Sequence, residues 1–376
     1  PAGTPLEHAL RWRSRGRVLV VDAMTPEPTR DSGSLRLCAI LRLLDKQGWS
    51  TAFAADNGRA SATELSALGA LGVEVLCQPW TTDLPHWLRE HGRELHAVIL
   101  CRHNVAGQYA ALVRRHAPQA RLLFDTVDLH FLREHRAAKL RGNQTMTKGA
   151  KASRHSELAL IEQCDITLVV SPYEQKLLAQ LAPQARVELL SNIQEIHGCH
   201  RGHAGRKDLI FVGGYGHPPN ADAIRWMAHE ILPRLRAALP DLQLHLFGDI
   251  PEAVRHTLAT PGLELHGRVA DLTPWFDTCL ASLAPLRFGA GVKGKINLAM
   301  SYGVPVIATT IAVEGMQLQH DSNVLVADDP TAIVAAVIRL QRDAVLWQKL
   351  SAGGLANVQQ YFSPDAADTT LRRILD

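Results

Sequence analysis

No stretch of this chain approaches the ~20 consecutive apolar residues that a membrane-spanning helix needs. No secretory leader is visible at its start, although a chain beginning at Pro1 fits one trimmed from something longer. Forty Lys and Arg against 37 Asp and Glu leave a formal charge of only +3, too small to mark a nucleic-acid binder. A Walker loop and a G-x-S-x-G elbow are missing, and no G-x-G-x-x-G follows a first strand with an acidic residue at the ribose distance. No Asp-x-Asp triplet occurs, so a diphosphate held through a divalent metal lacks the hard carboxylate cluster it would need. The six cysteines (Cys38, Cys77, Cys101, Cys164, Cys199, Cys279) are scattered. Five lie in or beside predicted helices and strands, as buried free thiols do, which points to a reducing, cytoplasmic setting. His197, Cys199, His200 and His203 crowd together, but their spacing matches no finger pattern and no metal is expected there.

What remains is the composition of a soluble globular protein, 46% apolar and 20% charged, and 376 residues are too many for one ordinary core. Short apolar runs alternate with helical patterns. Arg17–Ala23, Thr51–Ala55, Val73–Cys77, Ala97–Cys101, Arg121–Asp125, Ile166–Ser171 and Val187–Leu190 read as strands, Val/Leu/Ile-rich and mostly unalternated, as in a parallel sheet covered on both faces. From Asn192 to Lys207 the chain turns polar and Gly/His-rich, without periodicity, and reads as a linker. The alternation then restarts with Leu209–Val212, a long helix Ala221–Ala238, Gln243–Phe247 and Leu263–His266. The expected architecture is α/β, with two doubly wound, Rossmann-like domains facing across a cleft. We place them at 1–195 and 208–358, with a linker at 196–207 and a last helix, 359–376, returning to the first domain.

The stretch from Ala284 to Met316 says most about function. An apolar strand (Leu280 to Leu286) runs into a loop with Gly289, Gly291 and Gly294 that carries Lys293 and Lys295, then into a short helix from Ile296 to Tyr302. Glycines let backbone approach a ligand, the helix start offers free N–H groups, and lysines add compact charge, which together make a phosphate or diphosphate site. A Gly-rich turn with solvated lysines is the plain alternative. After the first strand of the second domain, Gly213 and Gly214 allow a sharp turn under a ligand, His217 is placed to reach a phosphate or sugar oxygen, and Asn220 is expected to cap the next helix.

Three segments of the first half add candidates. Ser34 is a good N-cap, and Gly33 leaves room at that helix start for an anionic or hydroxyl-rich ligand; Arg30 and Asp31 could instead form a surface ion pair. Asp125, Asp128 and His130 gather at a strand's carboxyl end, where a carboxylate orienting a histidine suits catalysis and a capping role is the alternative. Residues 133–154 carry Arg133, Arg136, Lys139, Arg141, Lys148, Lys151 and Arg154 around a flexible-looking Gly142–Gly149. This basic face suits anionic lipid or a phosphorylated acceptor, or a merely solvated helix pair. The N-terminal cluster Arg11–Arg17 invites the same readings, or a link to an upstream domain.

In combination, several motifs resemble the donor-binding half of retaining GT-B glycosyltransferases of the large "group 1" family, which builds lipopolysaccharide, O-antigen and other surface glycans. They are F-V-G-G-Y-G-H-P-P-N (Phe211 to Asn220), G-A-G-V-K-G-K (Gly289 to Lys295), A-M-S-Y-G-V-P-V (Ala299 to Val306), A-V-E-G-M (Ala312 to Met316) and Y-F-S-P (Tyr361 to Pro364). The likeness covers about 208 to 364, and more loosely Asp31 to Ser34 and Asp125 to Glu134. It implies a nucleotide sugar in the cleft and no metal or other cofactor. Lys293 and Lys295 would meet the diphosphate, with Gly291, Gly294, Gly213 and Gly214 beside them, and Glu314 and Gly315 would lie at the sugar end. Asp128 and His130 fall where the family's acceptor-side catalytic residues sit. The family's glutamate pair, eight positions apart, is replaced here by Ala290 and Leu298, and Asn297 next door points about 100° away on a helix.

The expected function is metal-independent, retaining transfer of a sugar from a nucleoside diphosphate donor to a glycan or lipid-linked acceptor in surface polysaccharide synthesis. Lys295, Lys293, His130 and Asp128 carry the chemistry in this reading. The expected partners are the nucleotide sugar, the acceptor, a membrane surface on the cytoplasmic side and a larger multi-domain chain, with no nucleic acid. The alternative is a non-catalytic GT-B-like scaffold, which the missing glutamates favour.

Overall fold

The computed structural model describes residues 14–27, 31–81 and 83–376. Two compact units emerge. The first comprises the chain up to His135, Gln144–Ile193 and Pro364–Asp376, and the second comprises Arg136–Asn143 and Gln194–Ser363. Each is built on one wholly parallel sheet.

The sheet of unit 1 has seven strands: β1 (Arg17–Asp22), β2 (Ser50–Ala55), β3 (Glu74–Leu76), β4 (Leu95–Cys101), β5 (Arg121–Asp125), β6 (Ile166–Val169) and β7 (Val187–Leu189), in the order β3-β2-β1-β4-β5-β6-β7. Strand β1 is fully buried from Val18 to Val21, as the unbroken apolar run requires when helices cover both faces. The strand order reverses between β1 and β4, and the crevice at such a switch point is where ligands bind. Helix Pro364–Leu375 belongs to this unit; Leu371, Ile374 and Leu375 lie in its core, and Gln47 bonds Asp368 at 3.0 Å.

The sheet of unit 2 has six strands: β8 (Lys207–Val212), β9 (Leu244–Phe247), β10 (Leu263–Gly267), β11 (Cys279–Ala284), β12 (Val306–Ala308) and β13 (Leu325–Val326), in the order β10-β9-β8-β11-β12-β13. Here the reversal falls between β8 and β11. Trp347 is completely buried, with its indole N–H on the Leu280 carbonyl at 2.9 Å. No helix or strand occurs between residues 190 and 206.

Several local expectations change. The long helix expected over Ala221–Ala238 is two helices, Pro218–Trp226 and Leu232–Ala238, joined by a π-turn at Met227–Ile231. Pro233 has no N–H for the bond four residues back, and the wider turn absorbs that gap. The loop expected around Gly142–Gly149 is helical from Gln144 onward, because one helix runs through Gly149 to Gln163. Arg15 and Arg17 are not a solvated basic patch: Arg17 is buried between Glu74 (2.6 Å) and Glu94 (2.9 Å), and Arg15 pairs with Asp376. Arg11 to Arg13 and Arg30 lie outside the described residues. All six cysteines are free thiols, four of them buried, with Cys199 exposed.

Candidate functional site

The switch point of unit 1 opens into a pocket of about 350 Å³ lined by Ala23, Met24, Asp31, Arg102, His103, Asn104, Thr126, Asp128, His130 and Arg133. Sequence reasoning had found Asp128 and His130, and had read Asp31 as a candidate surface ion-pair partner of Arg30. It missed Arg102, His103 and Asn104, which stand at an ordinary helix start and carry no motif, and it had placed Arg133 on the basic face rather than in a pocket. Two backbone positions at the pocket are strained: Arg102 (φ 71°), just past β4, and Val127 (φ 62°), just past β5. Left-handed backbone is costly for side chains of this kind and clusters where structure is held for a purpose.

The expected Asp128–His130 pair is not formed directly. Arg133, one helical turn on, reaches both, pairing with the Asp128 carboxylate and donating to His130 Nδ1 at 2.7 Å. Since Nδ1 accepts from a guanidinium, the ring proton belongs on Nε2, which faces Glu134 at 3.0 Å. His103 stacks on His130 with ring centroids 5.8 Å apart. Burial first, and then the neighbouring His130, pushes the His103 imidazole below its ordinary value.

The turn carrying these groups is fixed from behind. Glu157, on helix Gln144–Gln163, accepts the backbone N–H groups of His130 (3.1 Å) and Phe131 (2.9 Å), and Glu174 accepts that of Leu129 (3.1 Å). Both carboxylates are completely buried. They satisfy the free amides at the start of helix His130–Arg141, so that helix end is closed to an outside anion. Burial pushes the Glu157 carboxyl up to about 7.

The cap assignment at Gly33 also changes. Asp31, not Ser34, is the N-cap of helix Ser32–Lys46 and accepts from the Ser34 N–H at 2.8 Å. An added Cβ on Gly33 would lie 3.2 Å from the Arg102 guanidinium, so the glycine gives Arg102 its room. Arg102 itself is held by Asp22 at 2.7 Å. Asp125 is no pocket residue; it is sealed in a buried pair with Arg36 at 2.5 Å.

The second candidate site lies at the switch point of unit 2. Helix Gly294–Ser301 follows the Gly-rich loop after β11, with Lys293 as its N-cap residue and Lys295 in its first turn. The two lysines differ. Lys293 folds back onto its own loop, with its ammonium on the carbonyls of Gly291 (2.6 Å) and Ala290 (3.3 Å). Lys295 reaches across to the Asn220 side-chain oxygen at 2.6 Å and lies 4.8 Å from the centre of the Phe211 ring. Burial first, and the charge of Lys293 second, pushes the Lys295 ammonium down to about 7.

Asn220 does not cap helix Pro218–Trp226, as its position had suggested. His217 is the N-cap residue and is exposed, and Asn220 sits inside the first turn, where its Nδ2 bonds the Gly214 carbonyl at 3.1 Å. An added Cβ on Gly213 would approach that Nδ2 to 2.7 Å, so this glycine is required for the amide to fit. Gly291, at φ 66°, makes the turn that brings Lys293 back. Glu314 ends the short helix Thr310–Val313, with Gly315 at φ 71° after it, and pairs in bidentate fashion with Arg136 of the same unit (2.7 and 2.9 Å). Asn297 is buried, and neither of its amide atoms has a hydrogen-bond partner.

Among the described residues no three His, Cys, Asp or Glu side chains gather in a way that could hold a metal ion. The soft ligands of the irregular segment are engaged separately: His197 stacks on Tyr302 at 4.1 Å, Cys199 faces the Arg201 carbonyl at 3.2 Å, and His203 bonds the Leu340 carbonyl at 3.2 Å. No helix among the described residues is long and apolar enough to cross a membrane.

Two parallel-sheet, Rossmann-like units with these switch points define the GT-B fold, and solved structures share it. Sucrose-phosphate synthase from Thermosynechococcus elongatus superposes with a TM-score of 0.74 at 15% identity, covering 96% of this chain and 98% of that one. HepE of Anabaena, solved in complex with UDP-glucose, gives 0.73 at 14% identity, over 96% of this chain and 99% of that one. Residues 206–343 match the family described as Glycosyl transferases group 1, so unit 2 carries a group 1 glycosyltransferase domain. A curated relative, an uncharacterized 44.6 kDa protein in the cps region of Klebsiella pneumoniae, is 20% identical over 177 residues, 45% of this chain. The match spans only 44% of that relative's length.

Proposed function

We propose that the chain is a metal-independent, retaining glycosyltransferase that moves a sugar from a nucleoside diphosphate donor to a glycan or lipid-linked acceptor in surface polysaccharide synthesis. The observation that carries the reading is Lys295: a half-buried ammonium in the first turn after a Gly-rich loop, held by a neutral amide and by no carboxylate among the described residues. A diphosphate supplies the missing counter-charge. As the bond to the sugar breaks, negative charge grows on the β-phosphate. A preorganised donor there commonly stabilises the transition state by about 3–4 kcal/mol. The group 1 domain supports donor binding in unit 2, and the UDP-glucose complex of HepE supports a nucleotide sugar as the ligand class. The relative's cps-region origin supports a surface-glycan role.

In this reading the unit 1 pocket takes the acceptor, with Asp128, His130 and Arg133 as its polar wall. Lys139, Arg141, Lys148, Lys151 and Arg154 are all exposed and supply an electrostatic contact to an anionic membrane surface. A scaffold without activity is the second reading, favoured by Ala290 and Leu298 where the resembled family has glutamates. One experiment separates them: the purified chain is mixed with a panel of nucleotide sugars in excess EDTA, and donor cleavage and product configuration are followed by NMR. Donor turnover with retention supports the transferase. Absence of saturable binding and of hydrolysis leaves the scaffold, and strict dependence on added manganese or magnesium overturns metal independence.

A further inference from the structure

The amide of Asn220 is oriented by both of its ends. Its Nδ2 donates to the Gly214 carbonyl at 3.1 Å, which leaves only Oδ1 to face Lys295 at 2.6 Å. The reversed amide would set an NH₂ against an ammonium, so the two bonds fix one orientation. Asn220 is itself buried, 8% exposed, and Gly213 has no side chain to displace it. Carboxylates on the surrounding elements are already committed. Asp222, on the same helix, is held in bidentate fashion by Arg287 at 2.6 and 2.8 Å, and Glu314 by Arg136. The remaining charge near Lys295 is the Lys293 ammonium, which has the same sign. Beneath lies the Phe211 ring.

Resting on the donor site proposed above, we propose that Asn220 is its positioning residue. The neutral amide fixes the Lys295 ammonium at the head of helix Gly294–Ser301 without neutralising it, so an incoming diphosphate provides the counter-charge and the site takes up a proton as it fills. Burial and Lys293 hold Lys295 down at about 7 in the empty site, and an adjacent phosphate restores the charged form. Between the free and the bound value, diphosphate affinity falls by about tenfold for each unit of rising pH. Aspartate at position 220 would pre-pair the ammonium: Lys295 stays charged, no proton is taken up, and the diphosphate must compete with a carboxylate.

The test is calorimetric titration of UDP, GDP, ADP and TDP into the full chain at pH 8, in HEPES and in Tris, whose ionisation heats differ. The wild type takes up most of one proton per nucleotide bound; Asn220→Asp takes up none and binds about tenfold or more weakly. Binding by the wild type without proton uptake overturns the inference, as does unchanged affinity and uptake in Asn220→Asp. If none of the nucleotides binds, the donor-site reading itself fails. The positioning claim is then read without ligand, from the NMR titration of ¹³C-methylated Lys295, assigned with Lys295→Arg. That titration moves up by about a unit or more in Asn220→Asp, and identical titrations in the two proteins overturn the claim. Near-ultraviolet circular dichroism establishes that the variant is folded.

Discussion

The two switch points treat charge in opposite ways. At the head of the unit 1 sheet, cations sit beside acids: Asp22 meets Arg102, Asp125 meets Arg36, and Asp128 meets Arg133, which also holds His130. At the head of the unit 2 sheet, Lys295 meets an amide and Lys293 meets carbonyls. A compensated pocket offers donors and acceptors without a net field and suits a hydroxyl-rich ligand. An uncompensated ammonium in a half-buried place is disfavoured until an anion arrives. In the proposed reading, the same fold therefore presents one site prepared for sugar hydroxyls and one prepared for a diphosphate.

The sharpest way to break this contrast is Lys295→Ala, which removes the uncompensated charge. We expect turnover to fall about 10²–10³-fold, with the fold intact by circular dichroism; survival of both turnover and donor affinity removes the basis of the mechanism. Glu157→Ala attacks the compensated side by leaving the buried amides of His130 and Phe131 unpaired. It costs unit 1 about 1–3 kcal/mol in urea unfolding, while nucleotide binding at unit 2 is retained. The same carboxyl gives a pH signature. Its folded value of about 7 exceeds the ordinary 4.5, so its contribution is fully present below 4.5 and is lost as pH rises through about 7. Glu157→Gln flattens that part of the stability profile. Arg133→Ala uncouples Asp128 from His130 and lowers transfer about tenfold with nucleotide affinity unchanged, since a charge-assisted bond is worth about 1.5 kcal/mol or more. Smallest is Asp31→Ala, which uncaps helix Ser32–Lys46 and costs about 1 kcal/mol in thermal unfolding, without touching the Lys295 site.

Much of the fold is legible along the chain. Unalternated apolar runs separated by helical periods specify buried parallel strands, and Val18 to Val21 or Leu280 to Ala284 admit no other reading. The Gly-rich loop with its lysines is equally legible, because glycines and a helix start leave a local signature. Caps were harder. Asp31 and Ser34 are both good capping residues, and only the backbone geometry decides between them. Asn220 looked like a cap because its neighbours are prolines, yet Pro218 already occupies the first helical position and pushes Asn220 into the first turn.

Sequence alone determined that there are two parallel sheets, roughly where each strand lies, and which loop carries the glycines and lysines, since these follow from local periodicity and composition. Tertiary structure decided who partners whom. Arg133 between Asp128 and His130, Glu157 and Glu174 behind that turn, and Asn220 across from Lys295 are meetings between side chains on adjacent turns or on different elements. Their distances depend on how helices pack onto the sheet, and no spacing along the chain encodes them.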